Sequence, residues 1–303
     1  MKKRILVIVL VFLSYSSNFV FGINPDTSYV ITPNMMGLIF KEFKVITNDN
    51  YYLNVWFYPS QYEISVDSIK YNTTHNISRK YEIIATNKPT IIICNGDSGN
   101  ISYLIHYAKF LSTNGYNVVT FDWRGFGKSQ NFSYDSNIVC QEFLWDYNAV
   151  LDTLVKIPEV DSTRIGAFGY STGAYISFLQ FHQKSEIKAL VLRGMFTSYK
   201  EASSNLDNLF PKENHIYPKI FDSSNYIADE IDKEITKPVF FIVGELDQRT
   251  PSNMSLKLMN EISSNYRSLW IVKGADHGGY LAPEIIQWEE FKSKVLSFFN
   301  TNL

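Results

Sequence analysis

Ile165-Gly166-Ala167-Phe168-Gly169-Tyr170-Ser171-Thr172-Gly173 is an apolar run that breaks at a Gly-x-Ser-x-Gly turn and passes into a helical pattern over residues 172 to 184. A strand that turns sharply into a helix with serine at its apex needs glycines beside it, because side chains there would collide. The serine then sits on strained backbone with its hydroxyl presented at the end of the strand, an arrangement that suits a nucleophile. An ordinary Gly-rich strand-to-helix turn is the competing reading, so the residues that would have to serve such a serine are sought elsewhere in the chain.

Outward from this point the same strand, loop, helix pattern repeats. Short apolar runs fall at 90–94, 118–121, 165–168, 189–192, 239–243 and 269–272, with helical stretches near 101–114, 138–157, 172–184, 253–264 and 283–299. Strands that are apolar throughout and alternate with helices predict an α/β sandwich: a mostly parallel central sheet with helices on both faces. Ahead of it, Gly37 to Thr47 and Tyr51 to Tyr58 read as a hairpin closed by Asn48-Asp49-Asn50. Residues 59 to 88 are polar and Asn- and Ser-rich, with a further edge strand expected at Tyr81 to Ala85. The stretch 196–235 is longer than the other connections and holds Pro211 and Pro218, so it reads as a short cap over the carboxyl edge of the sheet. Residues 23–303 are expected to form one domain carrying this insertion.

A serine hydroxyl needs a base within hydrogen-bond reach and a third group to fix the tautomer of that base. In a fold with such an elbow, the acid and then the histidine follow the serine along the chain. His75 and His106 precede Ser171, His182 lies on the helix behind it and His215 falls in the cap stretch, which leaves His277. It sits among glycines in Lys273-Gly274-Ala275-Asp276-His277-Gly278-Gly279, directly after the last strand, and glycines on both sides suit a tightly turned loop that presents a side chain, with a solvated loop histidine as the competing reading. Asp247, in Gly244-Glu245-Leu246-Asp247-Gln248-Arg249-Thr250-Pro251, is the preferred acid, with Glu245 and Asp276 as rivals. An acyl-transfer site also needs N–H groups for the oxyanion. Thr172, opening the helix, and Asp97, in Asn95-Gly96-Asp97-Ser98-Gly99-Asn100, are the candidates for that oxyanion hole. The Gly-rich loop at 95–100 lacks the Gly-x-x-x-x-Gly-Lys-Ser/Thr pattern of a nucleotide site.

Together with Phe121-Asp122-Trp123-Arg124-Gly125-Phe126-Gly127-Lys128-Ser129, these motifs stand in the order and spacing of α/β-hydrolases. Over residues 35 to 300 the chain resembles the branch that holds monoacylglycerol-lipase-like esterases, lysophospholipid lipases and protein depalmitoylases. The resemblance implies an α/β-hydrolase sandwich and a serine hydrolase. Where many relatives carry His-Gly in the oxyanion loop this chain has Asn95-Gly96, and Asn can serve as the loop-fixing donor and acceptor in place of His. Asp122 and Arg124 are expected to pin their loop by charge-assisted hydrogen bonds rather than to act in catalysis.

Composition bounds the rest. The 303 residues are 45% hydrophobic, with 28 basic and 30 acidic residues for a net charge of −2. No basic stripe stands ready for a phosphate backbone, so nucleic acid is not an expected partner. Lys2-Lys3-Arg4, the apolar run Ile5 to Leu13 and small residues at Val20 and Gly22 read as an export signal over residues 1–22, implying a secreted or periplasmic protein. An uncleaved membrane anchor is the alternative, although Ser14 to Asn18 interrupt the run well short of the ~20 residues a span requires. Cys94 and Cys140 are the only cysteines, too few for a disulfide scaffold and too irregular for a zinc site, and they are read as buried thiols with a single bridge as the alternative. Sequons at Asn72, Asn76, Asn100, Asn131 and Asn253 matter only in a glycosylating pathway. No cofactor or metal is expected. The expected substrate is a small-molecule or lipid acyl ester, with membrane association only through an uncleaved signal or a lipid substrate. A peptidase, an acyltransferase and a non-catalytic binding protein on the same fold remain open alternatives. Aromatic residues of the cap stretch, among them Phe196, Tyr199, Phe210, Tyr217 and Phe221, suit either an acyl groove or ordinary core packing.

Overall fold

A computed structural model describes residues 23–64, 71–72, 77–78, 81–84, 87–134, 141–209 and 235–303. The expected signal, Cys140 and the greater part of the cap stretch, 210–234, lie outside the described residues.

Eight strands form the main sheet: β1 (Lys41–Ile46), β2 (Tyr52–Tyr58), β3 (Lys88–Cys94), β4 (Asn117–Phe121), β5 (Val160–Tyr170), β6 (Ile187–Arg193), β7 (Val239–Gly244) and β8 (Arg267–Val272). Their spatial order is β8-β7-β6-β5-β3-β4-β2-β1. β3 to β8 run parallel, while β2 pairs antiparallel with both β4 and β1. Order is dictated by connection: β1 and β2 are joined by a tight turn and pair with register Lys41↔Phe57 to Ile46↔Tyr52, whereas parallel neighbours need a crossover. In the turn, Asn50 takes φ 66° and the Thr47 hydroxyl accepts the Tyr51 N–H at 2.9 Å.

Among the described residues the helices are α1 (Ile105–Ser112), α2 (Gln141–Leu154), α3 (Thr172–Gln183), α4 (Tyr199–Leu209), α5 (Ser252–Glu261), α6 (Pro283–Ile286) and α7 (Trp288–Asn302). They divide between the two faces. Ile92 and Cys94 of β3, Leu190 and Leu192 of β6 and Phe241 of β7 point into one core with α2, α3 and α5. Their neighbours Ile91, Ile93, Ala189, Val191, Phe240 and Ile242 point into the other, beneath α1 and α7. Because side chains alternate across a strand, a sheet covered on both faces has strands that are apolar at every position.

Several boundaries differ from the sequence expectation. β1 begins at Lys41, not Gly37, because Pro33–Met36 make a 3-10 turn that Gly37 caps at φ 70°. The first crossover helix opens as a 3-10 turn over Ile101–Leu104, whose cap Asn100 accepts the Ser102 N–H. The C-terminal helical stretch breaks at Gln287, outside α-helical geometry at φ −126°, ψ 42°, and so becomes α6 and α7. Tyr81–Ile83 pairs with Gln61–Glu63 in a separate two-stranded sheet instead of extending the main one.

Within the cap stretch, Phe196 and Tyr199 are buried in the core. The Phe196 ring stacks on Tyr175 of α3 at 4.8 Å, and Tyr199 meets both rings edge-on. These two aromatics therefore pack the body of the fold, and α4 is seated on it through Tyr199, Ala202 and Leu206. Phe210, Tyr217 and Phe221 lie outside the described residues.

Candidate active site

β5 and α3 meet at Ser171. Its backbone takes φ 53°, ψ −119°, and besides Asn50 and Asn87 it is the one non-glycine residue of positive φ among the described residues. Such backbone costs of order 1–3 kcal/mol and persists only where its surroundings force it. Here the Ser171 N–H donates to the Arg193 carbonyl at 2.9 Å, and the Tyr175 N–H donates back to the Ser171 carbonyl at 3.1 Å. The flanking glycines are required by contact. A Cβ on Gly169 would stand 2.5 Å from Ala174 Cα, and one on Gly173 would overlap the carbonyl oxygens of Cys94 and Asn95.

That second contact sets the end of β3 against the start of α3. The loop after β3 is tied to itself and to its neighbours: the Asn95 carboxamide donates to the Ser98 carbonyl at 2.9 Å, and the Trp123 indole donates to the Asn95 carbonyl at 3.2 Å. Ser98–Gly99 pairs with Asn24–Pro25, and the Asn24 N–H donates to the Asp97 carbonyl at 2.7 Å. A Cβ on Gly96 would lie 3.5 Å from Cβ of Ser171, so this loop borders the serine. The half-buried Asp97 side chain has its pKa raised by burial, against the pull of His277 and Arg249 nearby. Thr172 is buried at the first turn of α3, where helix N–H groups lack intrahelical partners.

His277, 6% exposed, projects from the loop after β8. Its Nε2 lies 3.2 Å from the Ser171 hydroxyl and its Nδ1 lies 2.8 Å from Oδ2 of Asp247. Asp247, 4% exposed, follows β7. Its Oδ1 accepts the N–H groups of Arg249 and Thr250 at 3.0 and 2.8 Å, and its Oδ2 accepts the Thr250 hydroxyl at 2.8 Å. Burial pushes the Asp247 pKa up, but the facing imidazole and these hydrogen bonds outweigh it and hold the carboxyl below its ordinary value. An ionised carboxylate only accepts, so Nδ1 carries a proton, and the neutral form of this imidazole presents Nε2 to the Ser171 hydroxyl as an acceptor.

The rival acids are engaged elsewhere. Glu245 accepts the Gly274 N–H at 2.8 Å, tying the loops after β7 and β8 together, and Asp276 accepts the His277 N–H at 2.6 Å. Asp122 and Arg124 each anchor their loop through charge-assisted hydrogen bonds. Arg124 binds Asp146 through Nε and Nη2 at 2.9 and 2.7 Å and Asp49 through Nη1 at 2.6 Å, whereas Asp122 accepts the Tyr29 hydroxyl and the Ile101 N–H. Both pin their loop to partners far away in sequence.

Sequence reasoning missed Thr250, whose oxygen stands 3.1 Å from His277 Nδ1, and Arg193, whose guanidinium reaches the His277 carbonyl. The spacing Asp247-x-x-Thr250 is that of a side chain accepting N–H groups two and three residues on, a signal available in sequence. A lone arginine closing the apolar run Ala189 to Leu192 was the other. A cavity of about 480 Å³ opens beside the acid loop, lined by Asn205, Asn208, Leu209 and residues 245–248. It adjoins Asp247 rather than the Ser171 hydroxyl. Among the described residues no group of three or more His, Cys, Asp or Glu is arranged to hold a metal ion.

The fold and this constellation define a hydrolase-fold protein, and comparison agrees. A family model described as serine aminopeptidase, S33, matches residues 85–227. An uncharacterized protein of Mycobacterium tuberculosis is 27% identical over 198 residues, 65% of this chain and 65% of that protein. Esterase FrsA of Salmonella typhi is 30% identical over 174 residues, 55% of this chain and 40% of the esterase. The solved esterase Pf2001 of Pyrococcus furiosus superposes with a TM-score of 0.72 at 20% identity, covering 93% of this chain and 99% of the esterase, a likeness of fold. This chain belongs to the α/β-hydrolase superfamily. The matches span 65% and 40% of these two curated relatives' own length.

Proposed function

We propose that this protein is a serine hydrolase that cleaves an ester, thioester or related acyl bond through an acyl-enzyme. The observation that carries the reading is the imidazole of His277, hydrogen-bonded on one side to a buried carboxylate and on the other to the hydroxyl of a strained serine. In this mechanism Ser171 Oγ attacks the substrate carbonyl as Nε2 of His277 takes its proton, and the imidazolium then protonates the leaving group. Water, deprotonated by the same nitrogen, releases the acid and restores the serine. Asp247 stays ionised throughout and holds Nδ1–H. The N–H groups of Thr172 and Asp97 receive the oxyanion, each contributing about 3 kcal/mol to the transition state.

The serine aminopeptidase description of the matching family favours a second reading, in which the same groups attack a peptide amide. One panel separates the two: p-nitrophenyl esters of increasing chain length against aminoacyl p-nitroanilides, each with Ser171→Ala as control. Ester turnover lost in the variant supports the esterase, and activity confined to the anilides selects the peptidase. Turnover that survives in Ser171→Ala removes this serine from the mechanism.

The same proposal places the enzyme outside the cytoplasm, on the strength of the basic and then apolar start of the chain. No helix among the described residues is long and apolar enough to cross a membrane. Export predicts an N-terminus near Ile23 in the mature protein, which sequencing checks. A mature chain that keeps residues 1–22 contradicts cleavage.

A further inference from the structure

One buried charged cluster lies against the site without a role in the chemistry above. Arg193 ends β6 and is 1% exposed. Its carbonyl accepts the Ser171 N–H, while its guanidinium donates through Nη1 to the His277 carbonyl. Nε and Nη2 grip the Glu284 carboxylate of α6 in a bidentate pair at 3.0 and 3.1 Å. The Tyr170 ring lies against the guanidinium at 4.3 Å, and its hydroxyl donates to the same His277 carbonyl at 3.1 Å. Gly194 follows at φ 65°, and a Cβ there would stand 3.1 Å from Cε1 and 3.4 Å from Nδ1 of the imidazole.

Burying a guanidinium costs several kcal/mol in desolvation, and apolar residues of the same volume often stabilise a fold as well or better. Stability alone therefore gives a weak account of this arginine. What the cluster does specifically is load two donors onto one carbonyl. That carbonyl belongs to His277, in a loop whose Gly274 and Gly279 at positive φ leave the backbone freedom to rotate. Rotation there would swing the imidazole away from Ser171. The same arginine holds the serine by its backbone, so one residue fixes both ends of the Ser171–His277 hydrogen bond. A misplacement of about 1 Å between reacting groups can cost on the order of a hundredfold in rate.

We propose that Arg193, oriented by Glu284 and assisted by Tyr170 and Gly194, is a positioning residue that sets the imidazole of His277 against the hydroxyl of Ser171. The proposal rests on the reading of Ser171 and His277 as nucleophile and base, and it extends that reading to a buried arginine and its partly buried carboxylate partner, which touch neither substrate nor transferred proton.

The test uses the full chain with three changes: Tyr170→Phe, Arg193→Lys, and the charge-free pair Arg193→Met with Glu284→Gln. For each, kcat and KM on a p-nitrophenyl ester are measured separately, beside the rate of Ser171 labelling by a fluorophosphonate and the melting temperature. The expected result is a kcat and a labelling rate at least about tenfold lower in the folded double variant, with KM within about threefold of the parent. Arg193→Lys should recover part of the loss, and Tyr170→Phe should cost about threefold in both rates. A merely structural ion pair would lower the melting temperature and leave the rates per folded molecule unchanged. The inference is overturned if Tyr170→Phe and the folded double variant both keep kcat and labelling within twofold of the parent. If the double variant does not fold, Tyr170→Phe decides by the same criterion. A parent that does not label at Ser171 sinks the reading of the site itself, and the positioning role with it.

Discussion

Oδ2 of Asp247 receives both Nδ1–H of His277, at 2.8 Å, and the hydroxyl of Thr250, at 2.8 Å, so the carboxylate, the imidazole and the threonine form one closed set of hydrogen bonds. Asp247→Asn keeps the shape and an oxygen for the Arg249 and Thr250 N–H groups, but an amide nitrogen can face Nδ1. The imidazole then takes the other tautomer and turns Nε2–H toward the serine. The expected loss in kcat is on the order of 10³–10⁴-fold, as when this change is made in triads of the same kind, with folding retained. Steady-state kinetics and a thermal melt check it, and a loss below about tenfold contradicts the role given to Asp247.

Ser171 pays for its position in backbone strain, and the two smallest replacements separate strain from chemistry. Both Ser171→Ala and Ser171→Gly remove the hydroxyl, yet only glycine takes φ 53° without a steric penalty. Ser171→Gly should therefore be more stable than Ser171→Ala by about 1 kcal/mol, a melting temperature some 2–4 °C higher. Equal melting temperatures would show that the elbow is not strained.

Arg124 tests the structural half of the account. Its fully buried partner Asp146 has its pKa pushed up to about 6 by burial, against the opposing pull of the guanidinium. Arg124→Met strands that carboxylate and should cost about 3–5 kcal/mol in urea unfolding, while adding Asp146→Asn should restore much of the loss. The kcat per folded molecule should stay unchanged in both. A single variant as stable as the parent would contradict the burial of the pair.

A pH dependence follows from Asp122. Burial pushes its carboxyl up to about 6, against hydrogen bonds from Tyr29 and from the Ile101 and Lys128 N–H groups. An unfolded aspartate titrates near about 4, so between about pH 4 and 6 the folded chain holds a proton that the unfolded chain has released. Stability should therefore fall as pH rises through that window, by roughly 2–3 kcal/mol from this residue. Asp122→Asn should flatten the melting curve there. Asp146 adds a slope of the same sign in parent and variant, so the difference isolates residue 122. Asp247 works in the opposite sense, with its stabilisation present above the ordinary carboxylate range and lost as pH falls below it. Parallel melting curves for parent and Asp122→Asn contradict the shift.

The parallel sheet was legible because burial on two faces writes itself into every position of strands such as 90–94 and 239–243. The order of serine, acid and histidine likewise selected three side chains that the fold brings within hydrogen-bond distance. What escaped was tertiary. Helical periodicity continues smoothly through Gln287, so nothing local marks the break between α6 and α7. That Arg124 pins its loop was legible, but its partners Asp49 and Asp146 lie 75 and 22 positions away in the chain and carry no local signal. Phe196 and Tyr199 looked equally suited to groove or core, and only the Tyr175 ring against them decides. Arg193 shows in the sequence only as a charge closing an apolar run, because its partners are a carbonyl and a carboxylate supplied 84 and 91 residues later.

The most direct test of the central claim is to react the purified protein with a fluorophosphonate and map the modified peptide by mass spectrometry. The account predicts one adduct per chain, on Ser171, absent from Ser171→Ala and strongly slowed in His277→Ala. An adduct on another residue, or labelling that persists in Ser171→Ala, would contradict it.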